Sequence, residues 1–439
     1  MCSELLRIPI TYRGLPIFGF GVVLALWLAA ASFRLGWGAR QSSWAESLRS
    51  QLPTLLIVTL LIVVGVPRFF PDGLPLRSYG LMVLAGSVAG VALAMRQARQ
   101  VGVDPDEILG LAVFVFIGGL VGARLFYVIE YWESRIRQND WWGTLKNVLA
   151  FTEGGLVVYG AFAGAMAGFA LCMWRRKLPA LAIADIVAPG MMVGLALGRV
   201  GCLLNGCCYG GESTLPWAVT FPRENAPQSL SPLFVDQASS GRFHGFALVR
   251  SQTEDAWVVQ RVHSDSPAER AGLRAGDVVS AVDGAHVGEG KGVERAILDS
   301  LREARPLLLQ TSRGTVEIPP IEPPDRTTPV HPAQAYSTIE AGLLAWVLWS
   351  FFPFRRRDGE VMALMLVLHP ISRFLLEEIR VDESPVWNTG WSISQNLSVG
   401  LLAIGVGLLV FLPRRRRDAP PLAGGAAGGR TQGPAGCWL

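Results

Sequence analysis

Apolar residues in this chain come in blocks of about 17 to 25, long enough as helices to cross the hydrocarbon core of a bilayer. About nine such blocks can be marked: 16–33, 53–66, 78–95, 108–129, 156–174, 185–204, 335–352, 360–376 and 393–412. The second, within "LPTLLIVTLLIVVGV", is the shortest and barely reaches across. No A-x-A site followed by a soluble chain comes after "LALWLAAASF", so the first block reads as an ordinary span and not as a cleaved leader. The pattern predicts an all-α polytopic membrane protein: two extra N-terminal helices over 1–75, then a seven-helix core.

Composition agrees with this, since 51% of the 439 residues are hydrophobic and 17% charged. The net charge of +4 matters less than its placement. "MRQARQ" (95–100), "WRRK" (174–177), "FRRRD" (354–358) and "PRRRR" (413–417) fall between blocks, and alternate crossings put all four on one side, the cytoplasmic one. The periplasmic face then receives Tyr79, "EYWESR" (130–135), "FTEGGLVVYG" (151–160), "GRVGCLLNGCCYGG" (198–211), His331 and "EEIRVDES" (377–384). The tail over 414–439 is basic, then Gly/Ala/Pro-rich, and is expected to be disordered on the cytoplasmic side. Cys2, Cys172 and Cys437 lie away from the polar face and read as incidental.

Between the sixth and seventh blocks the chain turns polar for about a hundred residues, from Arg223 to Asp325. "AWVVQRV", "LLLQTS" and "TVEIPP" alternate like strands, and "GVERAILDSLREA" has helical spacing, so 223–327 is a small β-rich domain inserted in a periplasmic loop. Its "SDSPAERAGLRAGDVVSAVDG" (264–284) resembles the PDZ family: a short helix, a Gly-Leu turn, a strand and a tight Asp283-Gly284 turn. The resemblance implies a groove for a C-terminal or extended peptide, with Gly245, Phe246, Ala247 and Leu248 of "HGFALV" as carboxylate loop and groove strand. A spacer domain without ligand is the alternative. An intramembrane metalloprotease is excluded, because none of the five histidines (His244, His263, His286, His331, His369) stands in H-E-x-x-H.

The core's own chemistry lies near the periplasmic boundary. Arg124, Arg199 and Arg373 sit inside apolar spans, where an unmet guanidinium costs ~2.5 kcal/mol or more. One of them can be neutralised by a carboxylate such as Glu377; three in one bundle point to an anionic ligand, and in a bilayer to a lipid phosphate.

On these residues the chain resembles the prolipoprotein diacylglyceryl transferase family. The carriers are "RSYGLMVLAG" (77–86), "IGGLVGARLFYVIE" (117–130), "GGLVVYGAFAG" (154–164), "GRVGCLLNGCCYG" (198–210), "PVHPAQAYS" (329–337) and "HPISRFLLEEIR" (369–380). The match covers core segments 76–222 and 328–413. The resemblance implies transfer of the diacylglyceryl group of phosphatidylglycerol to the lipobox cysteine thiol of preprolipoprotein signal peptides, releasing glycerol 1-phosphate. It further implies lipid binding by Arg199, Arg373, Arg124, Asn205 and Gly210, a catalytic role for Tyr79, and Glu377 as support for Arg373.

Three departures stand out. Well-studied members have histidine-glycine-glycine where this chain has "YGA", placing Tyr159 at the base position; they have tyrosine where this chain has His369; and Cys202 and Cys207 replace a signature asparagine and an acid. Histidine and tyrosine have traded helices, so His369 is the expected base and Tyr159 a donor to phosphate, with the opposite assignment left open. His331 is expected to hold the loop after the insert. Cys202, Cys207 and Cys208 suit a disulfide or packing in an oxidising compartment, not a zinc site. No cofactor, metal or nucleic-acid signature occurs. The rival class is a non-enzymatic scaffold or lipid transporter recruiting partners through the insert.

Overall fold

The computed structural model describes residues 4–12, 15–39, 44–71, 73–138, 140–150, 155, 157–226, 229–250, 257–286, 290–380 and 389–412. The tail 414–439, the "PRRRR" cluster, Glu153 and the end of "EEIRVDES" lie outside the described residues.

In chain order the elements are β1 (Glu4–Ile8), β2 (Thr11–Tyr12), β3 (Leu15–Pro16), α1 (Val22–Ala39), α2 (Trp44–Leu60), α3 (Val66–Phe69), β4 (Leu74–Arg77), α4 (Ser78–Gln100), α5 (Pro105–Glu130), α6 (Trp141–Leu149), α7 (Val158–Arg176) and α8 (Ala180–Asn205). The insert supplies β5 (Glu224–Ala226), β6 (Ser229–Leu230), α9 (Pro232–Ser239), β7 (Phe246–Arg250), β8 (Trp257–Val262), α10 (Pro267–Arg270), β9 (Val278–Val282), β10 (Ala285–His286), α11 (Gly290–Arg302), β11 (Leu307–Thr311) and β12 (Gly314–Ile318). The chain ends in α12 (Ala333–Phe351), α13 (Glu360–Glu377) and α14 (Ile393–Phe411).

Among the described residues six helices are long and apolar enough to cross a membrane: Gln51–Phe69, Ser78–Gln100, Pro105–Glu130, Ala180–Asn205, Ala333–Phe354 and Ile393–Phe411. The hydropathy pattern marks nine. The second block, the shortest of the nine, is among the six because α2 continues through a π turn (Leu61–Gly65) into α3 and carries the apolar segment to Phe69. Below that standard fall α1, whose apolar part is Val22–Gly36, α7, diluted by glycine and closed by Arg175 and Arg176, and α13, which holds Glu360, His369, Arg373 and Glu377.

The chain forms two compact units, Met1–Leu81 with Leu204–Cys207 and Thr220–Thr328, and Met82–Leu203 with Cys208–Val219 and Pro329–Leu439. In the first, β1 pairs antiparallel with β4, a strand pair the hydropathy pattern does not show. The insert is a six-stranded sheet in the order β12-β11-β9-β8-β7, with β10 on β9. Phe246, Val259, Val279, Leu307, Leu309 and Ile318 from the strands and Val293 and Ile297 from α11 form its buried core. The Asp283-Gly284 turn is as the sequence predicts: both residues have positive φ (47° and 80°), and Val282 pairs with Ala285 across it.

His244 is buried in the insert, its Nε2 3.3 Å from Ser300 Oγ, and burial pushes its pKa down to about 4. A histidine that is neutral when folded and protonated when unfolded stabilises fully above pH 6.5 and loses that contribution as pH falls through 4. From 6.5 to about 4, at 1.36 kcal/mol per unit, the insert should lose roughly 3 kcal/mol. Amide hydrogen exchange of insert segments in the intact protein, compared at pH 7.5 and 4.5, reads this; equal opening free energies would contradict it.

In the second unit α5 and α7 touch through glycine. A Cβ on Gly164 would stand 2.1 Å from the Gly118 carbonyl oxygen, and one on Gly160 would stand 2.4 Å from that of Gly122. Such close backbone approach is how helices associate where no hydrophobic effect operates between them. At one end of the unit the Asp185 carboxylate of α8, fully buried, accepts from the backbone amides of Gly359 (2.7 Å) and Met362 (2.8 Å) at the start of α13. Arg355, also buried, lies 3.6 Å from Asp185 and stacks on Phe352, so one arginine of the "FRRRD" cluster points inward. This contact and the shared cavity described next set α8 and α13 side by side and parallel.

Candidate functional site

Along those two helices, at the end away from Asp185, lies a cavity of about 160 Å³ in the second unit. Arg199 enters it from α8, Ser337 and Glu340 from α12, His369 and Arg373 from α13 and Ser394 from α14. Leu195, Leu376, Leu397 and Leu401 complete the wall. Two guanidiniums, an imidazole and a carboxylate thus share one pocket with an aliphatic lining, which suits a phosphate carrying acyl chains.

The two arginines are held differently. Arg373 is paired with Glu377 one turn on, and its Nη2 donates to Ser394 Oγ (3.0 Å). Glu377 is itself buried, with Arg380 Nε 3.8 Å away and Ser392 Oγ donating at 3.4 Å. The capping box of α14, in which Ser392 and Gln395 satisfy each other's backbone amides, fixes that partner loop. Arg199, half-buried, makes no ion pair within 4 Å and no hydrogen bond among the described residues. The Glu340 carboxylate of the same cavity acts on this guanidinium at longer range, beyond ion-pair distance.

His369 Nδ1 lies 3.3 Å from Glu340 Oε1, and Ser372 Oγ donates to the same oxygen at 2.6 Å. Glu340 does not figure among the residues singled out from the sequence. The signal was available: an acid inside an apolar span is as anomalous as the arginines that were noticed.

Arg124 is elsewhere in the unit. It is buried, and its guanidinium donates to the carbonyls of Val148 (3.0 Å), Gly155 (3.2 Å) and Asn147, tying α6 and the loop before α7 to α5. Its charge meets backbone oxygens, and it is not among the residues lining the cavity. Tyr159 opens α7, partly exposed, and also lies off the lining. Tyr79, half-exposed, opens α4, and Asn205 closes α8.

Gly210 acts through its backbone. Its amide donates to the His331 carbonyl (2.9 Å), that of Gly211 donates to Ile379 O (2.8 Å), and His331 N returns a bond to Gly211 O (2.9 Å). A Cβ on Gly210 would stand 2.7 Å from His331 Cβ, so no side chain fits. The His331 backbone therefore sits in a strap joining the segment after α8 to the entrance of α12 and the end of α13. Cys202 is buried in the last turns of α8, and Cys208 stands at a left-handed position (φ 58°) in the turn that follows.

In the insert, the amides of Gly245 and Phe246 already donate to the carbonyls of Gly241 and Arg242, and Phe246 is fully buried. Ala247 and Leu248 lie on β7, which pairs with β8 on one side only among the described strands.

The family model described as "Prolipoprotein diacylglyceryl transferase" matches residues 67–411. The chain belongs to this family. It is 32% identical to the phosphatidylglycerol--prolipoprotein diacylglyceryl transferase of Rhodopirellula baltica over 95% of this chain and 90% of that protein, so the alignment spans the insert as well as the core. It is 33% identical to the second such enzyme of Clostridium perfringens over 40% of this chain and 66% of that protein. With the enzyme of Gloeobacter violaceus it shares 35% identity over 36% of this chain and 57% of that protein. In this member of the transferase family, Arg199, Arg373 and His369 converge on the cavity, while Arg124, Tyr159 and Gly210 stand outside it.

Proposed function

We infer that this chain is a multi-pass transferase of the bacterial inner membrane that moves the diacylglyceryl group of phosphatidylglycerol onto the lipobox cysteine of preprolipoproteins. Glycerol 1-phosphate leaves and a thioether forms. The observation that carries this, beyond the family, is Arg199: a guanidinium on an apolar helix, beside Arg373 in an aliphatic cavity, with no carboxylate within 4 Å among the described residues.

The chemistry follows from the residues present. Arg199 and Arg373 grip the phosphate and stabilise the charge that grows on it. His369 takes the thiol proton, since the thiolate is the nucleophile. The sulfur attacks the glyceryl carbon that bears the phosphate, the C–S bond forms and the C–O bond breaks. The electron pair leaves with glycerol 1-phosphate, to which the imidazolium returns the proton. Arg124 ties α6 and the loop before α7 to α5. The active face and the insert are read as periplasmic and the C-terminus as cytoplasmic from the placement of Lys and Arg. The deciding assay is transfer of labelled diacylglycerol to a lipobox peptide by the purified protein. No thiol-dependent labelling by a well-folded sample, with a Cys-to-Ser peptide as control, would favour the scaffold reading instead.

The insert reads as a PDZ-like peptide module. Because the amides of Gly245 and Phe246 are engaged internally, the open edge of β7 is the better docking line, by strand addition. A peptide bound this way should have the same affinity as free acid and as amide in calorimetric titration of the full-length protein. A preference for the acid beyond about tenfold would return the carboxylate to Gly245 and Phe246.

A further inference from the structure

The mechanism leaves one ionisable group of the cavity without a role. Glu340 lies on α12, inside a span, where a carboxylate is disfavoured unless something holds it. Arg373 pairs with Glu377, and Arg199, more than 4 Å from any carboxylate among the described residues, acts on Glu340 only as a charge at longer range. What it faces is Nδ1 of His369, 3.3 Å from Oε1, and that oxygen is fixed from its other side by Ser372 Oγ at 2.6 Å. Ser372 Oγ is in turn 2.9 Å from the His369 carbonyl oxygen, so the three residues form a closed cluster across α12 and α13.

We propose that Glu340 is the positioning residue of the base: its carboxylate, anchored by Ser372, holds the proton on Nδ1 of His369 and leaves Nε2 as the atom that receives the thiol proton. This rests on the reading of His369 as base. A neutral imidazole has one donor and one acceptor nitrogen, and the group bonded to the first decides which is which. Without the carboxylate the proton can sit on either nitrogen and the ring can turn. The charged and titratable groups around the ring are Arg199 from α8, Arg373 from α13 and Glu340 from α12. The two cations oppose formation of an imidazolium, and Glu340 is the one anion among the described lining residues. The proton route of the transfer is unchanged: from sulfur to Nε2, then to the departing phosphate, with Glu340 remaining ionised throughout.

The test uses the full-length protein in detergent with phosphatidylglycerol and a lipobox peptide. E340Q should lower kcat roughly 10- to 100-fold, with KM for the lipid within about threefold of wild type, and E340D should recover part of the loss. A lipobox peptide whose nucleophile is a selenol, already ionised at neutral pH, needs no base, so with it E340Q should run within about threefold of wild type. A merely structural glutamate would slow both nucleophiles alike. S372A keeps the carboxylate and removes its anchor; it should show the same discrimination between thiol and selenol at about 3- to 10-fold, and it decides the matter should E340Q not accumulate. Equal loss with both nucleophiles, or no loss, overturns the positioning role. Failure of the underlying reading is seen separately: H369F would then retain transfer to the thiol peptide, whereas a dead H369F beside an unaffected E340Q removes only Glu340 from the mechanism.

Discussion

R199A should lose about 10²- to 10³-fold in transfer of diacylglycerol to a lipobox peptide while keeping its elution profile and melting behaviour. The expectation comes from what Arg199 does without: in the structure it has no carboxylate within 4 Å and no hydrogen bond among the described residues. Removing it breaks no hydrogen bond or close ion pair among the described residues, and Glu340, the carboxylate it acts on at longer range, keeps His369 and Ser372, so the main effect falls on the substrate. R199K should not rescue the activity, since an ammonium cannot make the two parallel bonds of a planar guanidinium to phosphate oxygens. Arg373 is a less clean probe, because R373A would also take from the buried Glu377 its nearer cation, leaving Arg380 at 3.8 Å. Wild-type transfer by R199A would mean that the phosphate is bound elsewhere.

D185A should be the most destabilising single change of this pair of helices, by about 3 to 5 kcal/mol. The carboxylate closes two backbone amides at the N-terminus of α13, where the helix dipole favours an anion, and faces the buried Arg355. Deleting it takes from the buried Arg355 the first of its acidic neighbours and leaves Asp358 and Glu360 to balance it at longer range. The companion double variant, D185A with R355M, should regain a large part of the loss, because removing both charges is far less harmful than removing one. Denaturation in mixed micelles measures both; a single variant within about 1 kcal/mol of wild type would show that the pair contributes nothing.

The apolar blocks made most helices legible, because the length of a span is imposed by the bilayer and not by distant contacts. Arg199, Arg373 and His369 stood out for the same reason, as polar groups where hydrocarbon is expected. The sequence does not say what each polar group meets. Arg124 carried the same signal as Arg199, yet its charge is absorbed by three carbonyls of α6 and the following loop, a match made by loop geometry. Asp185 and Arg355 lie far apart in the chain, and only the parallel docking of α8 and α13 brings them together. Glu340 in "AQAYSTIEAG" is anomalous in the same way, and only the placement of His369 opposite says what its carboxylate meets. The short α6 and the β1–β4 pair are below the length at which periodicity speaks.

Chain entry to and exit from the insert are fastened together. Val219 bridges Val330 in the second unit, and within the first unit Pro222 bridges Arg326 while Arg223 donates to Asp325. Residues 219 and 330 are thus antiparallel neighbours, about 5 Å apart, with more than a hundred residues between them. A tight turn could close the same gap. The span between those two residues is therefore free in length: a shorter or longer insert leaves the same two ends to be joined, and the packing that holds Arg199, His369 and Arg373 does not depend on how many residues lie between them.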